Sequence, residues 1–370
     1  MSVGKYFRPG VSPFSVRAGP MRPETGAEDF VGYGSVLKLK DLVEKTFRDP
    51  ISFRLVYGSY GAGKTWTFSW LWREFAQESG ERRCFVIGVP RFEIRSRPER
   101  ALVETILRDI LETQPTLFKQ AVSKGPAVAS PDLRSLRSHF DSPDSRAVLA
   151  GITGASRVKH EGDARSFSLT KSDDLTRMLL ATFEAIALLG YTRCLLLIDE
   201  LDAPFLLGSR KDRIAFSEFL RGLYDLLSTR SEGDATYPHV EVLFSGTGEL
   251  YEQFWPEALT HQLQAGTLMA AFIRRTEPPF LMTPPNESEL EGIAKHHIGR
   301  ARSRGGRDLG DWIPFDKAAI DLAWKKSGRN LGQFLHVASD MYRLAEGEKA
   351  TRVTTEHCNK ALAAYNEGPG

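Results

Sequence analysis

Eight consecutive residues constrain this chain more than any other part of it: Gly58-Ser59-Tyr60-Gly61-Ala62-Gly63-Lys64-Thr65. They fit the pattern G-x-x-x-x-G-K-[ST], in which glycines let the backbone curl until its N–H groups point inward at phosphate oxygens. The flanks supply the context the pattern needs. Phe53–Tyr57 is a compact apolar run suited to a buried strand, and Lys64–Glu78 reads as a helix with Trp70, Leu71 and Phe75 on one side. The helix N-terminus adds its dipole to the anion site. In such a loop the Lys64 ammonium reaches the β and γ phosphates of a nucleoside triphosphate, and the Thr65 hydroxyl ligates Mg²⁺. The expected ligands are therefore ATP and Mg²⁺, bound by Gly58, Ser59, Tyr60, Gly61, Ala62, Gly63, Lys64 and Thr65.

A second motif fits the first. Leu195-Leu196-Leu197-Ile198 is an apolar strand that ends in Asp199-Glu200. Ligands of open α/β sheets sit at the C-terminal edge of the strands, and successive strand residues point to opposite faces. The two acids thus divide the work: Asp199 holds Mg²⁺, and Glu200 polarises the attacking water. Asp202 extends the acidic run and reads as structural.

Apolar strands at Phe53–Tyr57, Cys84–Val89, Cys194–Ile198 and Val240–Phe244 alternate with helical stretches at Asp29–Phe47, Lys64–Glu78, Ala101–Glu112, Leu175–Leu189 and Asp212–Ser228. This is the pattern of an α/β fold, a parallel sheet sandwiched by helices. After Pro284-Pro285 the pattern turns helical, at Glu287–Arg302, Phe315–Lys326, Leu331–Ala345 and Thr354–Tyr365, which predicts a small all-α domain. The expected organisation is an extended arm over 1–27, a P-loop ATPase domain over 28–283 with an insertion around 113–172, and a helical lid over 284–370. The insertion is polar and predicts short helices and a mobile loop.

Composition sets the remaining bounds. Among 370 residues 41% are hydrophobic and 26% charged, with a net charge of +2, values ordinary for a chain that buries a core. Cys84, Cys194 and Cys358 lie far apart without CxxC spacing, which suits buried thiols in a reducing compartment. No run approaches the ~20 apolar residues of a membrane span, and the N-terminus has no signal-peptide core. A cytoplasmic protein is expected. His296-His297 has no partner at metal spacing and reads as helix surface.

A phosphate loop, an apolar strand ending in Asp-Glu, a further strand ending in polar residues and a helical lid together resemble an AAA+ ATPase. Leu197-Ile198-Asp199-Glu200-Leu201-Asp202 is similar to the IDELD phrase of the origin-recognition and helicase-loader clade. STAND-class and transposition-regulator ATPases share the layout. The resemblance covers residues 28–365 and implies further roles. The polar sensor that orients water or reads the γ-phosphate maps to Thr247, with Ser245 second. The arginine finger, acting on a neighbouring subunit, maps to Arg274 and Arg275. The lid arginine of the family follows Gly-x-Pro; here Ser327-Gly328-Arg329-Asn330-Leu331 offers Arg329. Val31-Gly32-Tyr33 matches the segment beside the adenine, which brings Val31 and Tyr33 into the nucleotide site. Two features depart from the family: a long stretch between the second and third strands, and little chain after the lid, where a full initiator carries a winged helix. Sequence-specific origin binding is therefore not expected.

The implied function is ATP hydrolysis that drives assembly of a homo-oligomer, a ring or spiral, acting on DNA or on a DNA-bound protein partner. Rival readings are a STAND-like signalling switch and an ATP-binding adaptor subunit. Two basic stretches bear on DNA: Arg91–Arg100, with Arg91, Arg95, Arg97 and Arg100, and Arg300–Arg307. Clustered cations suffice for sequence-independent phosphate contact.

Overall fold

The computed structural model describes residues 3–7, 13–14, 32–90, 97–140, 171–202, 205, 208–229, 236–254, 272–302 and 310–366. The chain divides into two compact units. One comprises Lys40–Tyr57 and Leu71–Phe280; the other comprises Met1–Leu39, Gly58–Trp70 and Leu281–Gly370.

The first unit is built on strands β1 (Ile51–Tyr57), β2 (Cys84–Val89), β3 (Arg193–Ile198) and β4 (His239–Gly246). With β5 (Phe280–Leu281) they form a five-stranded sheet in the order β2-β3-β4-β1-β5, and the β2/β3, β3/β4 and β4/β1 ladders are parallel. Strand alternation sorts the side chains into two faces. Phe53, Leu55, Phe85, Ile87, Val89, Cys194, Leu196, Ile198, Val240, Val242 and Phe244 all join one apolar core. Helices α1 (Gly34–Thr46) and α2 (Lys64–Ala76) precede and follow β1 in the chain. Helices α3 (Pro98–Thr113), α4 (Leu117–Lys124), α5 (Pro131–Phe140), α6 (Ser172–Leu188) and α7 (Arg210–Ser228) bury their apolar stripes in this core, among them Leu102, Ile106, Phe118, Leu136, Leu179 and Phe216. On the opposite face the Trp72 ring lies over Gly88, where any Cβ would stand 1.9 Å from it, so the strand has glycine at this crossing.

The predicted α/β class is what the chain adopts. Each of the four long strands was legible as an apolar run, and β2 has the predicted limits. β1 starts two residues earlier than expected, because Ser52 and Arg54 break the run and yet are buried. Of the insertion, α4 and α5 answer the expected short helices, and 141–170 lies outside the described residues. Cys84, Cys194 and Cys358 are free and buried thiols.

The second unit contains α8 (Glu287–Ala301), α9 (Lys317–Lys326), α10 (Leu331–Gly347) and α11 (Thr355–Asn366). Helix α8 opens with a capping box: Asn286 Oδ1 accepts the Glu289 N–H at 3.0 Å, and Glu289 Oε2 accepts the Asn286 N–H at 2.8 Å. The segment expected as an extended arm is in part a component of this helical core. Val3–Tyr6 makes one 3₁₀ turn, its Val3 N–H bonds Ala350 O at 2.8 Å, and Val3, Phe7 and Phe14 are buried. Phe7 stands edge-on to Tyr342 at 5.3 Å, and Phe14 meets Phe315 at 5.3 Å and Phe334 at 6.0 Å. Large rings scattered among Pro, Gly and Arg carry no period, so nothing in the sequence pattern announced the docking. His297, expected on the helix surface, is buried with its ring 5.7 Å from Phe14 for the same reason.

In the first unit, the sheet face opposite the core holds a buried charge cluster. Ser52 and Glu241 are register partners, and Arg54 Nε lies 4.0 Å from Glu241 Oε1. The Arg54 guanidinium also donates to Pro278 O at 2.9 Å and faces Glu277 at 3.5 Å. Burial pushes the Glu241 carboxyl up from its ordinary 4.5 to about 7, while Thr46, Ser52 and Arg54 pull it back down. A carboxyl raised in the fold contributes its full stability below its unfolded value and loses it as pH rises through about 7. The loss amounts to about 3 kcal/mol. Glu241→Gln should therefore gain thermal midpoint relative to wild type between pH 4.5 and pH 8; a difference that stays constant across that range would show that Glu241 does not titrate there.

Candidate phosphate site and acidic strand end

The loop Gly58–Thr65 follows β1 directly in the chain. Gly61 and Gly63 have φ of +76° and +87°, conformations that L side chains rarely adopt, which is why glycine stands there. The carbonyls of the loop are all occupied. Lys64 Nζ donates to Gly58 O at 2.9 Å and Ser59 O at 3.0 Å. The Asn330 side-chain amide donates to Tyr60 O, and the Gly332 N–H donates to Gly61 O at 3.0 Å. The buried Tyr33 hydroxyl donates to Ala62 O at 3.1 Å, and the Thr67 N–H and hydroxyl donate to Gly63 O at 2.8 and 2.9 Å. In a trans peptide the C=O and the following N–H point opposite ways. Each carbonyl that is held therefore fixes the direction of the N–H that follows it; the Ala62 N–H turns back to Ser59 O at 3.1 Å. The chemistry of the donors present, backbone N–H groups, one ammonium and a helix N-terminus, fits a polyphosphate.

Sequence reasoning brought Tyr33 to this loop, but its contact is to the loop backbone. Burial holds the Tyr33 phenol well above its usual range, so it remains a donor. Val31 lies outside the described residues. Arg329 is exposed and adopts φ +60° at the turn after α9. The residues of that turn that touch the loop are Asn330 and Gly332. The sequence reading missed both, although Asn330 carries the signal of a helix N-cap, with its Oδ1 accepting the Gln333 N–H at 3.0 Å.

The acidic strand end is described within its own unit. The β3/β4 register pairs Ile198 with Phe244, which sets Asp199 across from Ser245 on the sheet face opposite the core. Asp199 is buried, and the Ser245 hydroxyl donates to its Oδ1. Continued strand geometry would turn Glu200 into the apolar core. Instead Glu200 takes φ +60° and is exposed. Its flanks fix that turn: the Asp199 N–H bonds Val89 O at 2.9 Å on β2, and the Leu201 N–H bonds Ser245 O at 2.8 Å on β4. Between them the Glu200 N–H is caught by Ser245 Oγ at 3.0 Å. A left-handed non-glycine residue costs on the order of 1–2 kcal/mol, and these three hydrogen bonds hold it there. The two acids do divide, one buried and one exposed. Thr247 is engaged elsewhere: its N–H meets Asp202 Oδ1 at 3.0 Å and its hydroxyl also donates there. Ser245 is thus the polar strand-end residue in contact with Asp199.

Of the paired arginines, Arg274 is exposed and Arg275 Nε bonds Asp225 Oδ1 at 2.7 Å. In the basic stretch Arg97 pairs with Glu99 at 2.9 Å and Arg100 with Glu104 at 2.6 Å, while Arg91 and Arg95 lie outside the described residues. Among the described residues no helix is long and apolar enough to cross a membrane, and no three His, Cys, Asp or Glu side chains gather as a metal cluster. Mg²⁺ bound mainly through phosphate oxygens asks for no such cluster.

No protein-family model and no curated protein matches the sequence. Solved structures do. The ORC2 protein of Aeropyrum pernix, determined as ADPNP–ADP complexes, superposes with a TM-score of 0.52 at 10% identity, over 97% of this chain and 72% of that one. The ORC1 protein of the same organism in complex with DNA gives 0.46 at 15% identity, over 90% of this chain and 66% of that one. Drosophila ORC bound to DNA gives 0.47 at 14% identity, over 97% of this chain and 63% of that one. The α/β fold, with its parallel sheet in the order β2-β3-β4-β1-β5 and a helical region later in the chain, is shared with the ORC2 protein. The particular structure that carries this likeness is the ORC2 protein, and at such identity the likeness is one of fold.

Ser245 holds both the buried Asp199 and the backbone of Glu200, so Ser245→Ala should lower stability by about 1–3 kcal/mol. The expected reading is a drop in thermal midpoint, larger than that of Thr247→Ala. Equal midpoints for wild type and Ser245→Ala would show that the Glu200 turn is held by other means.

Proposed function

We propose that this chain is an ATPase of the AAA+ type. The observation that carries the reading is the phosphate loop itself, with every carbonyl from Gly58 to Gly63 tied back and two of its glycines at positive φ. The nucleotide found in the ORC2 complexes supports the same ligand class. In this reading Gly58–Thr65 binds the triphosphate of ATP, and Lys64 exchanges its loop carbonyls for β and γ phosphate oxygens. Thr65 and Asp199 would hold Mg²⁺, which when bound neutralises charge on the transferring phosphoryl group. The exposed carboxylate of Glu200 orients and deprotonates the attacking water, and Ser245, with Thr247 as the alternative, senses the γ-phosphate. Residues 28–283 serve as the ATPase domain and 284–370 as its lid.

The proposal extends to assembly. Arg274 and Arg275 act in trans on a neighbour's γ-phosphate within a ring or spiral of this chain. Arg275 would then leave Asp225, an exposed ion pair worth less than about 1 kcal/mol. The target is DNA or a DNA-bound protein. Arg97 and Arg100 already face carboxylates, so DNA contact falls mainly to Arg91 and Arg95.

Glu200→Gln keeps the size of the side chain and removes its charge. Steady-state phosphate release should fall by about two orders of magnitude while nucleotide affinity stays within about twofold. Turnover near the wild-type rate would assign the base elsewhere. A wild-type chain that binds ATP but does not release phosphate would favour an adaptor role.

A further inference from the structure

We infer that the turn into α10 sets the nucleotide affinity of the phosphate loop from behind, through Asn330 and the Gly332 N–H. This rests on the phosphate-loop reading above. The contacts are made to two adjacent carbonyls, Tyr60 O by the Asn330 side-chain amide and Gly61 O by the Gly332 N–H at 3.0 Å. Peptide planarity converts each into a constraint on the next N–H. Holding the Tyr60 carbonyl fixes the direction of the Gly61 N–H, and holding the Gly61 carbonyl fixes that of the Ala62 N–H, which here donates to Ser59 O at 3.1 Å.

The fit between the two segments depends on a missing side chain at Gly61. A Cβ on Gly61 would stand 2.2 Å from Asn330 Oδ1. At Gly332 a Cβ would stand 3.4 Å from Gly61 Cα and 3.5 Å from Gly61 O, in ordinary contact. Asn330 performs two tasks with its two polar atoms: Oδ1 caps α10 by accepting the Gln333 N–H at 3.0 Å, and Nδ2 holds the loop. Gly332 is the second residue of α10, so its N–H has no partner within the helix and is available to the loop. Through these two contacts the turn acts on phosphate by way of the shape of the loop. By linkage, whatever the clasp adds to nucleotide affinity, nucleotide returns to the clasp.

Three substitutions separate this role from helix capping and from packing. Asn330→Ser retains a helix cap and is too short to reach the Tyr60 carbonyl. Gly332→Pro removes the N–H at a first-turn position where proline is tolerated. Gly332→Ala keeps the N–H and serves as the control. Calorimetric titration with ADP and with Mg²⁺-ATP, alongside thermal midpoints without nucleotide, reads the outcome. The inference predicts about tenfold weaker binding of both nucleotides for Asn330→Ser and for Gly332→Pro. It also predicts wild-type affinity for Gly332→Ala, and nucleotide-free midpoints within about 2 °C of wild type for all three. Wild-type affinity in Asn330→Ser and Gly332→Pro would overturn it. A fall in affinity matched by a fall in nucleotide-free midpoint would also overturn it, in favour of a purely structural role. A wild-type chain that binds neither nucleotide would instead remove the phosphate-loop reading itself, and with it this inference.

Discussion

The hydrogen bonds on the outer side of the phosphate loop are the interaction on which the functional architecture depends. A run of backbone N–H groups attracts an anion only if its carbonyls are held away from it. Here every carbonyl from Gly58 to Gly63 has a donor, drawn from Lys64, which serves two of them, and from Asn330, Gly332, Tyr33 and Thr67. Three of these five residues, Tyr33, Asn330 and Gly332, are distant from the loop in sequence, so its shape is a product of tertiary structure as well as of the motif. Lys64 belongs to both sides of this balance: its ammonium satisfies two of the loop's carbonyls and is the group the motif offers to phosphate.

The acidic strand end follows a different logic, set by register. Parallel pairing of β3 with β4 puts Asp199 opposite Ser245, and alternation would send Glu200 into the core. The chain avoids that by a left-handed turn at Glu200, held by hydrogen bonds to β2 and β4 on either side. Strain of this kind persists where surrounding structure over-determines it, and it is frequent at functional sites. Its product is an exposed carboxylate next to a buried one.

Much of this was legible in the sequence, and the parts that were not share a cause. β2, β3 and β4 announced themselves because strands covered on both faces read as continuous apolar runs. The loop motif announced its glycines because only glycine accepts their φ. What escaped were contacts between distant segments. Nothing local marks Phe7 and Phe14 as core residues, since isolated rings in a Pro- and Gly-rich stretch have no period. Asn330 was readable as a helix cap, but its second hydrogen bond depends on where the Tyr60 carbonyl lies in space. The turn after α9 meets the loop through an amide and a backbone N–H, contacts that no residue pattern announces. Glu241 passed as one residue in an apolar strand, and its raised carboxyl follows from burial that only the assembled sheet reveals.

The central claim is that Gly58–Thr65 is a triphosphate site. Titration of the purified chain with Mg²⁺-ATP in a calorimeter, for wild type and for Lys64→Ala, tests it most directly. The account predicts saturable binding at one nucleotide per chain in wild type. It predicts affinity weakened by about a hundredfold or more in Lys64→Ala, the scale of a lost charge-assisted hydrogen bond to phosphate. Equal affinity in the two proteins, or no saturable binding to wild type, would contradict it.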